Sequence, residues 1–276
     1  MGGHRRLKGE GLALPESVMK IDIHAHYRGP FDRLEAHMQR DIASGVDRVV
    51  IFSPRLEDEV LAAAEKYPDH YIPFYWVDWE SDTVETAAER KARGFVGAKL
   101  INPPANYDEE RFFSIYEGLE KAGMIALFHS ALSSRSRPAH FQRICKAFPE
   151  LTVVGAHIGN PWYREAAVLL HWHKNLHFDT STCQLAYDRP DWLAEGPPIG
   201  VKPIIRELYL SGLLDPNRLI YGSDQFLPDP GRSVTDYSIE RHEVAFDALG
   251  LSSEHRDCIY RHNAARILRA AGCEVD

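Results

Sequence analysis

The sequence predicts an α/β fold, a (β/α)8 TIM barrel with its site at the C-terminal ends of the strands. Two observations carry that expectation. Short β-branched or aromatic runs alternate eight times with segments of helical length, and the connections on the two sides of these runs differ in kind. A doubly wound sheet is the rival, but its first strand more often leads into a glycine-rich phosphate turn, and here that turn reads HAHYRGP.

The strand-like runs are, in order, 19–26 (MKIDIHAH), 46–53 (VDRVVIFS), 71–78 (YIPFYWVD), 95–101 (FVGAKLI), 124–130 (MIALFHS), 151–158 (LTVVGAHI), 176–182 (LHFDTST) and 218–224 (RLIYGSD). Between them lie amphipathic stretches such as YDEERFFSIYEGLEKAG, whose closing Gly123 suits a helix C-cap, and RPAHFQRICKAFPE. Links from helix to strand are terse (ASGV, KARGF, KAGM, FPEL). Links from strand to helix are longer and richer in polar and aromatic residues (INPPANYD, HSALSSRSRP, CQLAYDRPDWLAEGPPIG, DQFLPDPGRSVTDYSIE). In a barrel the second kind builds the active face. Residues 1–18 are expected to form a flexible N-terminal extension and 19–276 a single domain.

Composition narrows the function classes. At 44% hydrophobic and 26% charged, the 276-residue chain can bury a real core. Its formal net charge of −8 opposes non-specific binding to nucleic acid or to an anionic membrane. Cys145, Cys183, Cys258 and Cys273 are scattered without a C-x-x-C pair, which suits free thiols in a reducing compartment. The start MGGHRRLKGEGLALPESVMK lacks the apolar core of a signal peptide, and Arg6 stands where a myristoylation site needs Ser or Thr. No run approaches the roughly 18 apolar residues of a membrane helix. A cytoplasmic protein is expected.

Barrel closure would make neighbours of residues remote in the chain. His24 and His26 end the first run, Lys99 the fourth, His129 the fifth, His157 the sixth, Asp179 the seventh and Asp224 the eighth. Alternate side chains of a strand share a face, so His24 and His26 can address one ion. The chain supplies its own control. His171 and His173 fall in a helical pattern, where two residues turn through about 200° and the rings diverge. Imidazole and carboxylate are standard zinc ligands, and a catalytic zinc keeps one position for water or substrate. Each residue alone has a plainer explanation, as a packed core histidine or as a turn-forming Asp in YGSD. For the cluster to mean nothing, all of those explanations would have to hold together.

The ordered set IDIHAH, LFHS, GAHIGN, FDTS, YGSDQF and HNAARIL resembles the amidohydrolase superfamily over residues 19 to 270. The nearest resemblance is to the amidohydrolase-related branch typified by aminocarboxymuconate-semialdehyde decarboxylase. It implies a TIM barrel holding a divalent metal, with one Zn2+ expected. It maps His24, His26, His129 and Asp224 to the metal ligands. It maps His157 to the sixth-strand histidine that handles the water or the substrate carbonyl. Lys99, in GAKL, maps either to the carboxylated lysine that bridges a second metal in binuclear relatives, or to a contact for a substrate anion. A homodimer is typical of such relatives.

On this reading the chain is a metal-dependent hydrolase acting on a small carboxylated lactone, amide or ester. Zinc lowers the pKa of water from about 15.7 to about 7, Asp224 shuttles the proton, and His157 steadies the oxyanion. Non-oxidative decarboxylation of a small enol or aryl carboxylic acid is the alternative, and a catalytically silent metal- or ligand-binding barrel is the third reading. The compact chain favours hydrolysis, since decarboxylases of this branch tend to carry longer insertions. Candidate substrate contacts are Arg28 beyond the histidine pair, Arg135 and Arg137 after the fifth strand, and Tyr107, Tyr187 and Trp192 as walls. Trp76, at the third strand's end, is expected to pack within the barrel.

Overall fold

The computed structural model describes residues 19–186, 200–228 and 234–275; the proposed extension and the walls Tyr187 and Trp192 lie outside them. Nine parallel strands run β1 Lys20–Tyr27, β2 Val46–Phe52, β3 Tyr71–Trp76, β4 Gly97–Leu100, β5 Ile125–Phe128, β6 Thr152–Gly155, β7 Leu176–Asp179, β8 Leu219–Ile220 and β9 Gln225–Leu227. Each neighbours the next around the sheet from β1 to β8, and β9 pairs with the far side of β1. The eighth run is therefore not one strand. Within 218–224 only Leu219–Ile220 is strand, paired with β7; β9 begins just beyond the run and pairs with β1, with only Tyr221–Asp224 between the two strands. This one stretch closes the (β/α)8 barrel. The join is itself bonded to β1, for Ile23 N–H donates to the Tyr221 carbonyl at 3.1 Å and Asp224 N–H to the His24 carbonyl at 2.9 Å. Gly222 permits that approach, because a Cβ there would lie 3.1 Å from His24 Cβ and 3.2 Å from Ser181 Cβ.

Helices α1 Leu34–Ala43, α2 Glu57–Lys66, α3 Thr86–Ala92, α4 Phe113–Lys121, α5 Phe141–Ala147, α6 Tyr163–Trp172, α7 Pro203–Leu210 and α8 Val234–Leu249 follow successive strands. Gly123 ends α4 as expected, at φ +61°, a conformation that costs a residue without Cβ little. His171 is exposed on the last turn of α6 while His173, just past its end, is buried, so this pair does diverge.

Two apolar layers form. Ile21, Ile23, Val50, Phe74, Leu127 and Ile220 fill the barrel together with Ile267 and Leu268 of the C-terminal helix Asn263–Ala270. Ala25, Tyr27, Val49, Ile51, Phe128 and Phe141 pack instead in the layer between strands and helices. The first strand changes face within itself: Ile21 and Ile23 point inward, Ala25 and Tyr27 outward. A register shift between Asp22 and Ala25 against β2 makes the switch. Strict alternation would set His24 and His26 opposite Ile21 and Ile23. The bulge lets both pairs face the interior, which period-two reasoning did not anticipate.

Candidate metal centre

At the strand ends, His24 Nε2 and His26 Nε2 each stand 3.2 Å from Asp224 Oδ1. One donor atom from each of the three lies within 4.8 Å of the others, and this is the one such group among the described residues. Asp224 reaches it from a left-handed backbone, φ 63°, an uncommon conformation that Asp tolerates better than most residues. His24 is aimed by a second carboxylate. Its Nδ1 lies 2.8 Å from Oδ2 of the wholly buried Asp179, which turns Nε2 toward the group.

The sixth-strand histidine arrives differently from the expected way. β6 stops at Gly155, and His157 sits in a tight turn at φ 60°, ψ 25°. Its backbone N–H donates to Asp179 Oδ1 at 2.9 Å, and its Nδ1 lies 2.8 Å from Ser181 Oγ. Its ring is 5.3 Å from that of His24 and 5.1 Å, edge-on, from that of His129. His129 faces the same space but stands outside the group of three.

Burial pushes the His24 imidazole down to about 4 and His129 to about 3, with the Lys99 ammonium adding to both, and burial lowers His26 as well. Burial works against ionisation of Asp224 and Asp179, but contacts from His24, joined by His26 at Asp224, hold both carboxyls well below the usual range. The cluster thus offers neutral imidazoles with free lone pairs and ionised carboxylates, the donor chemistry a divalent cation takes. Lys99 complicates it. The side chain is fully buried, pushed down to about 8 by burial, and its Nζ lies 3.0 Å from His24 Nε2. Ligation through that nitrogen requires Lys99 to turn away or lose its charge.

A cavity of about 760 Å³ opens above the cluster, lined by His26, His129, His157 and Asp224 and by Arg28, Ser53, Arg55, Trp76 and Phe226. The Arg28 guanidinium lies over the Phe226 ring, 3.7 Å from its centroid. Neither Arg28 nor Arg55 pairs with an acid of the described residues.

Several expectations need correction. Tyr107 is no wall: it is fully buried, and its hydroxyl donates to the carbonyls of Leu100 (3.1 Å) and His129 (3.0 Å), bracing the backbone beneath the site. Lys99, offered as a contact for a substrate anion, is fully buried and does not line the cavity. Arg135 is exposed and lines a neighbouring cavity of about 460 Å³ that shares only His129 with the first. Arg137 is engaged by Glu165, 2.9 Å from its Nε. Trp76, expected in packing, lines the cavity. Arg55, Ser53 and Phe226 were missed. Arg55 and Ser53 follow the second strand in FSPRL, where the strand-end rule applies to them as it does to the histidines and carboxylates.

Parallel strands closed into a barrel, with His and Asp donors gathered at their C-terminal ends, define a TIM-barrel protein with a candidate metal centre. The chain belongs to the amidohydrolase family, whose profile matches residues 21–270. Solved structures share the fold. An uncharacterized TIM-barrel protein of Bordetella bronchiseptica is 19% identical, with a TM-score of 0.68 over 92% of this chain and 99% of that one. A probable 2-pyrone-4,6-dicarboxylic acid hydrolase of Acinetobacter baumannii is 18% identical (TM-score 0.60, 91% and 99% covered). The 5-carboxyvanillate decarboxylase of Novosphingobium aromaticivorans, complexed with manganese, is 15% identical (TM-score 0.58, 91% and 96% covered). No curated protein matches the chain in sequence. Among the described residues no helix is long and apolar enough to cross a membrane.

Proposed function

We propose that the protein is a metal-dependent hydrolase of a small carboxylated lactone, amide or ester, using one Zn2+ held by His24, His26 and Asp224 with His129 as the further ligand. The observation that carries this reading is the three-donor group lying beneath a cavity whose rim holds two guanidiniums with no acidic partner among the described residues. A divalent ion supplies Lewis acidity, which lowers the pKa of water toward about 7. The chain's own residues do the rest. Arg28, held against the Phe226 ring, and Arg55 bind the substrate carboxylate, while Trp76 and Phe226 screen the reacting bond from bulk water. Asp224 Oδ1 accepts the proton of the attacking water and returns it to the leaving group, and His157 faces the reacting atoms from across the cavity.

Purified protein is assayed for bound metal by mass spectrometry, then screened against carboxylated lactones and carboxylated enols while CO2 is followed. Metal with ring opening supports the hydrolase. Metal with CO2 release replaces it with the decarboxylase, and metal without turnover leaves a binding barrel. Lack of metal affinity removes the reading altogether.

A further inference from the structure

Asp179 and Ser181 form a hydrogen-bond hub whose proton count, for a neutral His157 ring, has one solution. Asp179 Oδ1 accepts the backbone N–H groups of His157 (2.9 Å) and Ser181 (3.0 Å), and Oδ2 faces His24 Nδ1 at 2.8 Å. Ser181 Oγ makes two contacts, a short one to Asp179 Oδ1 and one of 2.8 Å to His157 Nδ1. A carboxylate surrounded by donors can only accept, so the single hydroxyl proton of Ser181 goes to Asp179. The remaining lone pairs of Oγ must then accept, and the proton on that side of the imidazole belongs to His157 Nδ1.

The geometry points to Ser181 as a positioning residue that, braced by Asp179, holds neutral His157 in its Nδ1–H tautomer and leaves Nε2 bare. That nitrogen has no partner among the described residues, on a ring that lines the cavity. The consequence rests on the reading of this cavity as a reaction site. A bare Nε2 takes up a proton and does not donate one, so neutral His157 serves as an acceptor toward water or substrate and not as the donor that polarises a carbonyl. The same carboxylate sets the tautomer of His24 directly, so one buried group orients two rings, one on β1 and one in the turn after β6.

Long-range 1H–15N correlation spectra of the full chain, labelled at histidine and free of metal, report which ring nitrogen carries the proton. Wild type is expected to show one Nδ1–H form for His157, identified by the signals lost in His157→Gln. Ser181→Ala is expected to lose that single form and exchange between tautomers, while Ser181→Thr, which keeps the hydroxyl, restores it. His24 keeps its signals in both. An Nε2–H form in the wild type overturns the inference whether or not any variant folds. An unchanged Nδ1–H form in Ser181→Ala overturns the role of Ser181. Neither result depends on metal content or turnover, so this failure is distinct from failure of the hydrolase.

Discussion

Ser223 and His24 are bound to the same buried carboxylate although they lie on opposite sides of the barrel's closing seam: Asp22 Oδ1 accepts the backbone N–H of His24 at 2.9 Å and that of Ser223 at 3.0 Å. Ser223 Oγ also donates to Asp22 Oδ2 at 2.5 Å, and Gln225 Nε2 donates to the same oxygen at 3.3 Å. The residue before Asp224 is thereby clipped to the start of the histidine pair, and the clip sets the distance between His24 and Asp224. Asp22→Ala leaves several buried donors without acceptors. It is expected to cost at least about 3 kcal/mol in urea unfolding and to weaken zinc affinity by about 10- to 100-fold. A variant as stable as wild type, with unchanged affinity, would show that the seam is held by the strand pairing alone.

Metal binding should stabilise the fold, because the donors converge only in the native state. Free zinc at 100 times its Kd is expected to add about 2.7 kcal/mol, visible as a raised Tm that a chelator reverses. His26→Ala and Asp224→Ala are each expected to abolish that rise. A rise that persists in both variants places the ion elsewhere.

Two buried histidines make acid unfolding informative. Burial pushes His177 down to about 3 and His242 down to about 4. Below pH 6.5 the unfolded chain takes up protons on them that the native protein refuses, so acidification disfavours the fold, by about 2 kcal/mol per group at pH 5. Asp22 acts with the opposite sign. Burial pushes its carboxyl up to about 7, so between pH 7 and 4 the native state gains a proton that the unfolded chain does not, and acid favours the fold. His24 and His129, pushed down in the same way, carry the sign of the other buried histidines, so several groups titrate together and the comparison must be differential. Relative to wild type, His177→Leu is expected to gain about 2 kcal/mol between pH 8 and pH 5. Parallel stability curves for the two proteins would contradict that.

Arg55 is the cleanest test of the carboxylated-substrate reading, since it contacts no metal donor. Arg55→Ala is expected to lower kcat/KM by about 10- to 100-fold for a carboxylated substrate, the range of a lost charged hydrogen bond. It should leave the matching methyl ester nearly unaffected. Equal losses on both substrates would indicate a structural role.

The strand order, the active face and the gathering of His24, His26 and Asp224 were legible in the sequence, because apolar runs, terse return loops and strand-end polar residues are local signals. Other features were not. The bulge in β1, the split between β8 and β9 and the left-handed backbone at Asp224 arise where strands must close a circle, and closure is a property of the whole sheet. Tyr107 reads as a loop aromatic in NYDEE, yet it is buried with its ring 4.9 Å from that of Phe128 and its hydroxyl on the Leu100 carbonyl, partners that only the folded barrel supplies.

The sequence by itself determined which residue types reach the mouth of the barrel, since hydrophobic period and loop length are written along the chain. Only the tertiary structure decided how they are turned. A side chain's aim depends on which distant group accepts its hydrogen bond, as Asp179 does for His24 and Asp22 does for the seam, and those partners meet only when the barrel closes.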